Sequence, residues 1–172
     1  LLQGTFKVGE EIEIRPGIKI EQGGKVTYEP IFTYISTLMS GNSSVEEVGP
    51  GGLVGVGTLL DPSLSKADNL VGSIIGKPKT LPATRIELKL KVNLLERVVG
   101  TKEMQKVEHL KARENLMLVV GSSVTVGMVS AAYSDAAQLL MKRPVCVEQG
   151  ARVAISRMLA GRWRLIGYGF VQ

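Results

Sequence analysis

The chain is poor in side chains that do covalent or metal chemistry. It has one histidine and one cysteine in 172 residues. With only His109 and Cys146 available, neither a zinc cluster nor a disulfide can be built. A nucleophile and its base must also be aimed at each other by a third group, and the residues around Cys146 and His109 supply none. An inert small thiol and a surface histidine is the plainer reading, and a lone thiol suits a reducing, cytoplasmic compartment. The stretch GSIIGK at 72–77 approximates a phosphate loop, but it is one residue short, and Pro78 stands where Ser or Thr would hold magnesium. Proline there also blocks the helix whose N-terminus must cradle the phosphate, so a strand ending in a glycine turn is expected. The glycine-dense run GPGGLVGVG at 49–57 does not match the dinucleotide fingerprint. A strand with so little side chain either admits another backbone or a ligand or marks a barrel corner or bulge.

The basic residues say more. The net charge of +5 is unevenly spread: residues 1–80 carry 7 Lys/Arg against 9 Asp/Glu, and residues 81–172 carry 14 against 7. Lys102, Lys106, Lys111 and Arg113 gather in or beside one long loop. Lys142 and Arg143 precede Pro144, and Arg157, Arg162 and Arg164 lie on either side of Trp163. A surface of this sign attracts polyanions, RNA phosphate foremost. The same excess would serve a protein-interaction module whose basic half docks an acidic partner, and at the level of charge both readings stand.

The elements that must position these groups are strands. Ile12 and Ile14 alternate with charged residues up to Arg15-Pro16-Gly17, which reads as a turn, and Gln22-Gly23-Gly24-Lys25 reads as a hairpin turn. In the segment 85–93, Ile86, Leu88, Leu90 and Val92 face one way and charged or polar residues the other. Segments 116–120, 124–131, 137–147, 152–155 and 163–171 continue the pattern, with Pro144 marking an edge or a bulge. Only 102–110, with Met104, Val107 and Leu110, has helical spacing, enough for a loop with one or two turns. No apolar stretch approaches the ~20 residues of a spanning helix, so no membrane role is expected, and residues 1–4 do not read as a signal peptide. Many short strands with regular turn signals predict an all-β chain of two consecutive antiparallel β-barrels, 1–80 and 81–172. The boundary is GKPKTLP at 76–82, where prolines end one strand set and the charge changes sign.

Several blocks carry a family likeness. GTFKVGEEIEI at 4–14 resembles the second-domain strand pair of the elongation factor Tu superfamily of translational GTPases. PGGLVGVGT at 50–58, LDPSLSKAD at 60–68, NLLERVVG at 93–100, RVAISR at 152–157 and RWRLIG at 162–167 resemble, in order, the gamma subunit of the heterotrimeric eukaryotic and archaeal translation initiation factor two. The resemblance implies that a GTPase domain holding GTP and magnesium precedes these barrels, that the first barrel lacks its opening strand, and that the fragment holds no cofactor and is non-catalytic. It implies delivery of methionylated initiator tRNA to the small ribosomal subunit, with the alpha subunit docked on the first barrel and the beta subunit on the GTPase domain. The wall receiving the aminoacyl end maps to Thr33, Ser36, Thr37, Met39, Gly55, Gly57 and Thr58, with Ser36 where elongation factor Tu carries a glutamate against the adenine. Arg143 matches a basic position that touches the tRNA stem, and with Lys102, Lys106 and Lys142 it forms the expected set of phosphate contacts.

Overall fold

The computed structural model describes residues 1–100 and 105–172 and is all-β apart from two short 3-10 turns. It divides into two compact units, Leu1–Leu70 with Ile74–Leu81, and Val71–Ser73 with Pro82–Gln172. Among the described residues no helix is long and apolar enough to cross a membrane.

The first unit contains β1 (Phe6–Lys7), β2 (Glu11–Gln22), β3 (Lys25–Ser40), β4 (Ser43–Val45), β5 (Glu47–Val48), β6 (Val54–Thr58) and β7 (Ile74–Gly76). The order β4-β3-β2-β7, with β6 also paired to β3, makes one sheet, and β1 with β5 makes a separate ribbon. Phe6, Ile12, Ile35, Leu38 and Val48 form the core between them. The hairpin at Gly23-Gly24 forms as the sequence predicts: both glycines have positive φ, and Gln22 pairs with Lys25. This is the backbone that a two-residue turn joining right-twisted strands requires.

The turn expected at 15–17 is instead a bulge. β2 runs straight through Pro16, and its pairing with β3 slips between Ile14 and Ile18. Proline lacks the N–H that a ladder needs, so the strand keeps its direction by giving up pairing for a few residues. Gly17 sits in that slip at φ +88°, and a Cβ there would collide with the carbonyl of Glu29 on β3. Arg15 lies two residues from Glu13 on the same face of β2, and its Nε meets Glu13 Oε1 at 2.6 Å. Glu13 is only 1% exposed, and its second oxygen accepts the backbone N–H of Lys79 at 2.9 Å. One buried carboxylate thus ties the segment after β7 down over the sheet, with Leu81 lying across Gly76.

The second unit contains β8 (Thr84–Leu94), β9 (Asn115–Val120), β10 (Ser123–Ala132), β11 (Ala136–Cys146), β12 (Arg152–Leu159) and β13 (Arg162–Val171). They close into an antiparallel barrel in the order β10-β11-β8-β13-β12-β9. Inward residues of every strand, among them Leu88, Leu90, Leu118, Val129, Leu139, Val153, Ile155 and Ile166, fill it. Ile86 departs from the expected alternation and is 45% exposed, because β8 and β11 lose register between Leu140 and Val145 beside it. Pro144 falls inside that slip, so it marks a bulge. The helical turns expected over 102–110 begin outside the described residues. From Gln105 onward the chain is not helical: Val98 and Val107 donate backbone hydrogen bonds to Gln105 and Glu96, and Val107 is buried in the barrel core. The 3-10 turns occur at Pro62–Leu64 and Lys66–Asp68, the first capped by Asp61 accepting the Ser63 N–H at 2.8 Å.

Two outcomes follow from this geometry. Gly17→Ala meets main chain, which cannot move aside, and is expected to lower stability by about 2 kcal/mol or more; a urea midpoint equal to the parent's at unchanged m-value would contradict it. The second concerns Glu10, whose carboxylate takes a hydrogen bond from Lys77 Nζ at 2.6 Å and another from the Lys7 N–H at 3.1 Å. The Lys77 bond holds its pKa below the ordinary 4.5, against an opposing push from partial burial. A depressed folded-state pKa stabilises above the unfolded value, and that contribution is lost as pH falls through the folded one. The pair is near the surface, so its worth is under about 1 kcal/mol. Lys77→Met is expected to raise the Glu10 midpoint in a carboxyl-carbon NMR titration, and an unmoved midpoint would rule the pair out as the cause.

Candidate nucleic-acid interface

The residues expected to form the aminoacyl-end wall lie on β3 and β6, and pairing brings most of them together. Thr37 stands opposite Gly57, Met39 opposite Gly55 and Ile35 opposite Thr58, with a register slip that leaves Ser36 between two pairs. The slip puts Ser36 and Thr37 both outward while Ile35 and Leu38 stay in the core. Across the strand the glycines leave room for these side chains. A Cβ at Gly57 would run into Thr37 Oγ1, and one at Gly55 would lie 3.2 Å from Met39 Cβ. The result is a shallow outward row in which a thioether and two hydroxyls lie against nearly bare backbone. Thr33 does not join it. It pairs with Ile12, is 6% exposed and belongs to the inward set with Ile31 and Ile35. The outward neighbours along β3 are instead Phe32 and Tyr34, 53% and 51% exposed.

The expected phosphate contacts are dispersed. Lys102 lies outside the described residues. Lys142 and Arg143 project from the bulge on β11, where the ladder to β8 is broken. The Thr125 hydroxyl repairs the break from β10: it donates to the Arg143 carbonyl at 3.0 Å and accepts the Arg143 N–H at 3.3 Å. Thr125 is itself buried, so the basic pair stands on a fixed stretch of backbone. Lys106 is exposed on another part of the barrel. It bridges to Arg97 and lines a cavity of about 130 Å³ with Val98, Glu108, Glu114, Arg157 and Leu159. In the barrel order, β12, which carries Arg157 and Leu159, is three strands from β11. Lys106 and the Lys142–Arg143 pair therefore do not make a single patch.

Not every base in this half is offered to solvent. Arg157 forms a two-pronged pair with Glu114, its Nη2 lying 3.1 Å from Oε2 and its Nε against Oε1. It also donates to the carbonyls of Glu108 and His109, both at 3.1 Å. This guanidinium is thus committed to holding the segment before β9 against β12. Glu108 pairs with Lys111 at 2.7 Å, and that hydrogen bond depresses its pKa. Sequence reading missed this pairing because Arg157 and Glu114 are 43 residues apart and no local pattern joins them. It also missed a cluster on β12 and β13, where the Arg152 guanidinium lies 4.1 Å from the centroid of the Tyr168 ring and Tyr168 meets Phe170 edge to face. Its signal was present: glycine and aromatic residues alternate in Gly167-Tyr168-Gly169-Phe170.

Residues 86–171 match the family described as "Initiation factor eIF2 gamma, C terminal". Over all 172 residues the chain is 54% identical to the translation initiation factor 2 subunit gamma of Methanothermobacter thermautotrophicus. It is 51% identical to that of Methanocaldococcus jannaschii and 54% to that of Thermococcus onnurineus. In each case the match covers 100% of this chain and 42% of the relative. A closed six-stranded barrel that matches the family from residue 86 to residue 171, in a chain that aligns along all its residues with family members, leads to one assignment: the chain belongs to the translation initiation factor 2 gamma-subunit family and matches its C-terminal part.

Proposed function

We propose that this chain is the tRNA-binding β-domain part of a translation initiation factor gamma subunit. Together with a GTPase domain it binds methionylated initiator tRNA and delivers it to the small ribosomal subunit. The observation that carries the reading is the outward row on β3 and β6. Bare backbone at Gly55 and Gly57 allows a nucleotide or an aminoacyl ester to come close. Ser36 and Thr37 offer hydroxyls that donate or accept, and Met39 offers a soft apolar contact suited to a methionine side chain. Lys142 and Arg143, held on the Thr125-braced bulge, supply phosphate contacts to the acceptor stem. Recognition through phosphates and shape is what a paired RNA helix permits, since its deep groove hides the base edges.

The division of labour follows from the charges. The acidic first unit suits a protein partner, the alpha subunit, whereas the +7 of residues 81–172 draws in RNA from a distance. GTP, magnesium and the beta subunit are assigned to the GTPase domain. The chain itself acts by binding.

Two substitutions test the two contacts separately, in the chain joined to its GTPase domain. Met39→Glu places a carboxylate in the row on β3 and is expected to weaken methionylated tRNA more than uncharged tRNA, in side-by-side titrations. An equal loss for both would move the aminoacyl end elsewhere. Replacing Lys142 and Arg143 together with alanine removes two phosphate contacts and is expected to flatten the slope of log affinity against log salt by about 2. An unchanged slope would remove the stem contact from this bulge.

A further inference from the structure

β13 reverses the usual economy of a barrel strand. Its inward positions at 167 and 169 are glycines, and its outward positions at 168 and 170 are aromatic. The glycines are required by close approach, since a Cβ at Gly167 would lie 2.5 Å from the Asn93 carbonyl and one at Gly169 would lie 3.1 Å from Leu90 Cβ. No such constraint requires rings outside, where packing is not available to reward them. Phe170 is nevertheless 40% exposed.

The outward neighbours of these rings are cations. Arg152 on β12 and Lys91 on β8 both pair in register with Phe170, one from each side. Lys89 follows Lys91 two residues back on the same face of β8. Arg152 lies over the Tyr168 ring, and Tyr168 stands at 88° to Phe170, so Tyr168 packs against both the guanidinium and the second ring. Among the described residues neither Lys89, Lys91 nor Arg152 has a carboxylate ion-pair partner. Tyr133, 62% exposed, begins the turn into β11, close to the point where Ala136 pairs with Lys91. The result is a sheet face with an exposed ring, a stacked guanidinium and two ammonium groups at strand spacing, with Glu87 two residues before Lys89 on the same row.

We propose that the face formed by Arg152, Phe170, Lys91 and Lys89, with Tyr168 bracing it, binds a short unpaired segment of RNA. Bases stack on rings whatever their identity, because each has a π-face, and the flanking cations take the phosphates. A duplex presents neither unstacked bases nor a backbone that can follow a flat face. The proposed face is separate from the acceptor-stem contact. Along β11 Lys142 is four residues from Gln138, which pairs with Lys89, about 13 Å at strand rise. The proposal is independent of the aminoacyl-end assignment on β3 and β6 and survives if that one fails.

The test is fluorescence anisotropy of the chain with a labelled ten-nucleotide unstructured RNA and with a hairpin duplex of the same charge. The single strand is expected to bind with a salt slope near −2, as about three phosphate contacts to single-stranded nucleic acid give, and to bind more tightly than the duplex. Phe170→Leu keeps an apolar side chain on the strand while removing the ring, and is expected to cost the single strand about tenfold. Lys91→Gln should flatten the slope by about 0.7. Single-strand affinity unaffected by Phe170→Leu, equal affinity for the duplex, or no binding of the single strand at low salt would each overturn the proposal, the last leaving a protein-docking face in its place.

Discussion

The second unit depends on one seam, the pairing of β8 with β13. These are its first and last strands, and until they meet the six strands are an open sheet whose two edges, β8 and β13, are each a template for pairing with another chain. Closing the seam takes partners separated by most of the unit's sequence, with the loop-closure entropy that such separation costs. Gly167 and Gly169 make closure possible by letting β13 press against Asn93, Leu94 and Leu90 of β8. Apolar residues from all six strands then share one interior. The outward arrangement of Lys91, Phe170 and Arg152 is a by-product of the same register. The inside of the seam sets the fold and the outside sets what the fold can touch.

Much of this was legible in the sequence, because a half-buried strand must alternate. All six barrel strands are marked by their period, and the bulge at Pro144 follows from its missing donor. What could not be read were the places where a side chain distant in sequence decides local geometry. The segment after Gln105 has weak helical spacing, yet Val107 is drawn into the barrel core and the backbone pairs with residues 96–98. Pro16 and Gly17 are a reasonable turn by composition. They form a bulge because Glu29 and Pro30 lie across from them on a strand long enough to carry β2 onward. In both, tertiary packing outweighs local propensity.

The candidate site shows the same division. Glycine density and the family resemblance both point to this row, and the register adds what composition cannot, Thr37 opposite Gly57 and Met39 opposite Gly55. The family resemblance puts Thr33 in this wall, but a strand alternates faces, and two residues before Ile35 is the inward side. Thr37 reaches the outward side beside Ser36 only because the ladder slips between Ile35 and Thr37. A one-residue slip moves a side chain from one face to the other, so the composition of this row is a consequence of the bulge.

Charge needs the same correction by geometry. An excess of +7 over residues 81–172 counts cations without saying how many are available to a ligand. Arg157 is not: with Glu114 and two carbonyls it has spent its donors on the barrel itself, and removing either partner of such a pair leaves a costly buried charge. Glu13 does the equivalent in the first unit, binding Arg15 and the Lys79 amide so that the segment after β7 has one resting place. Lys111 is matched by Glu108. Two settings stand out among the cations of this unit: Lys142 and Arg143 on a braced bulge, and Lys89, Lys91 and Arg152 beside aromatic rings, while Lys106 is exposed elsewhere on the barrel. The first setting offers charge alone, and the second adds aromatic faces to it, so the two RNA contacts proposed for this barrel differ in what they ask of a ligand.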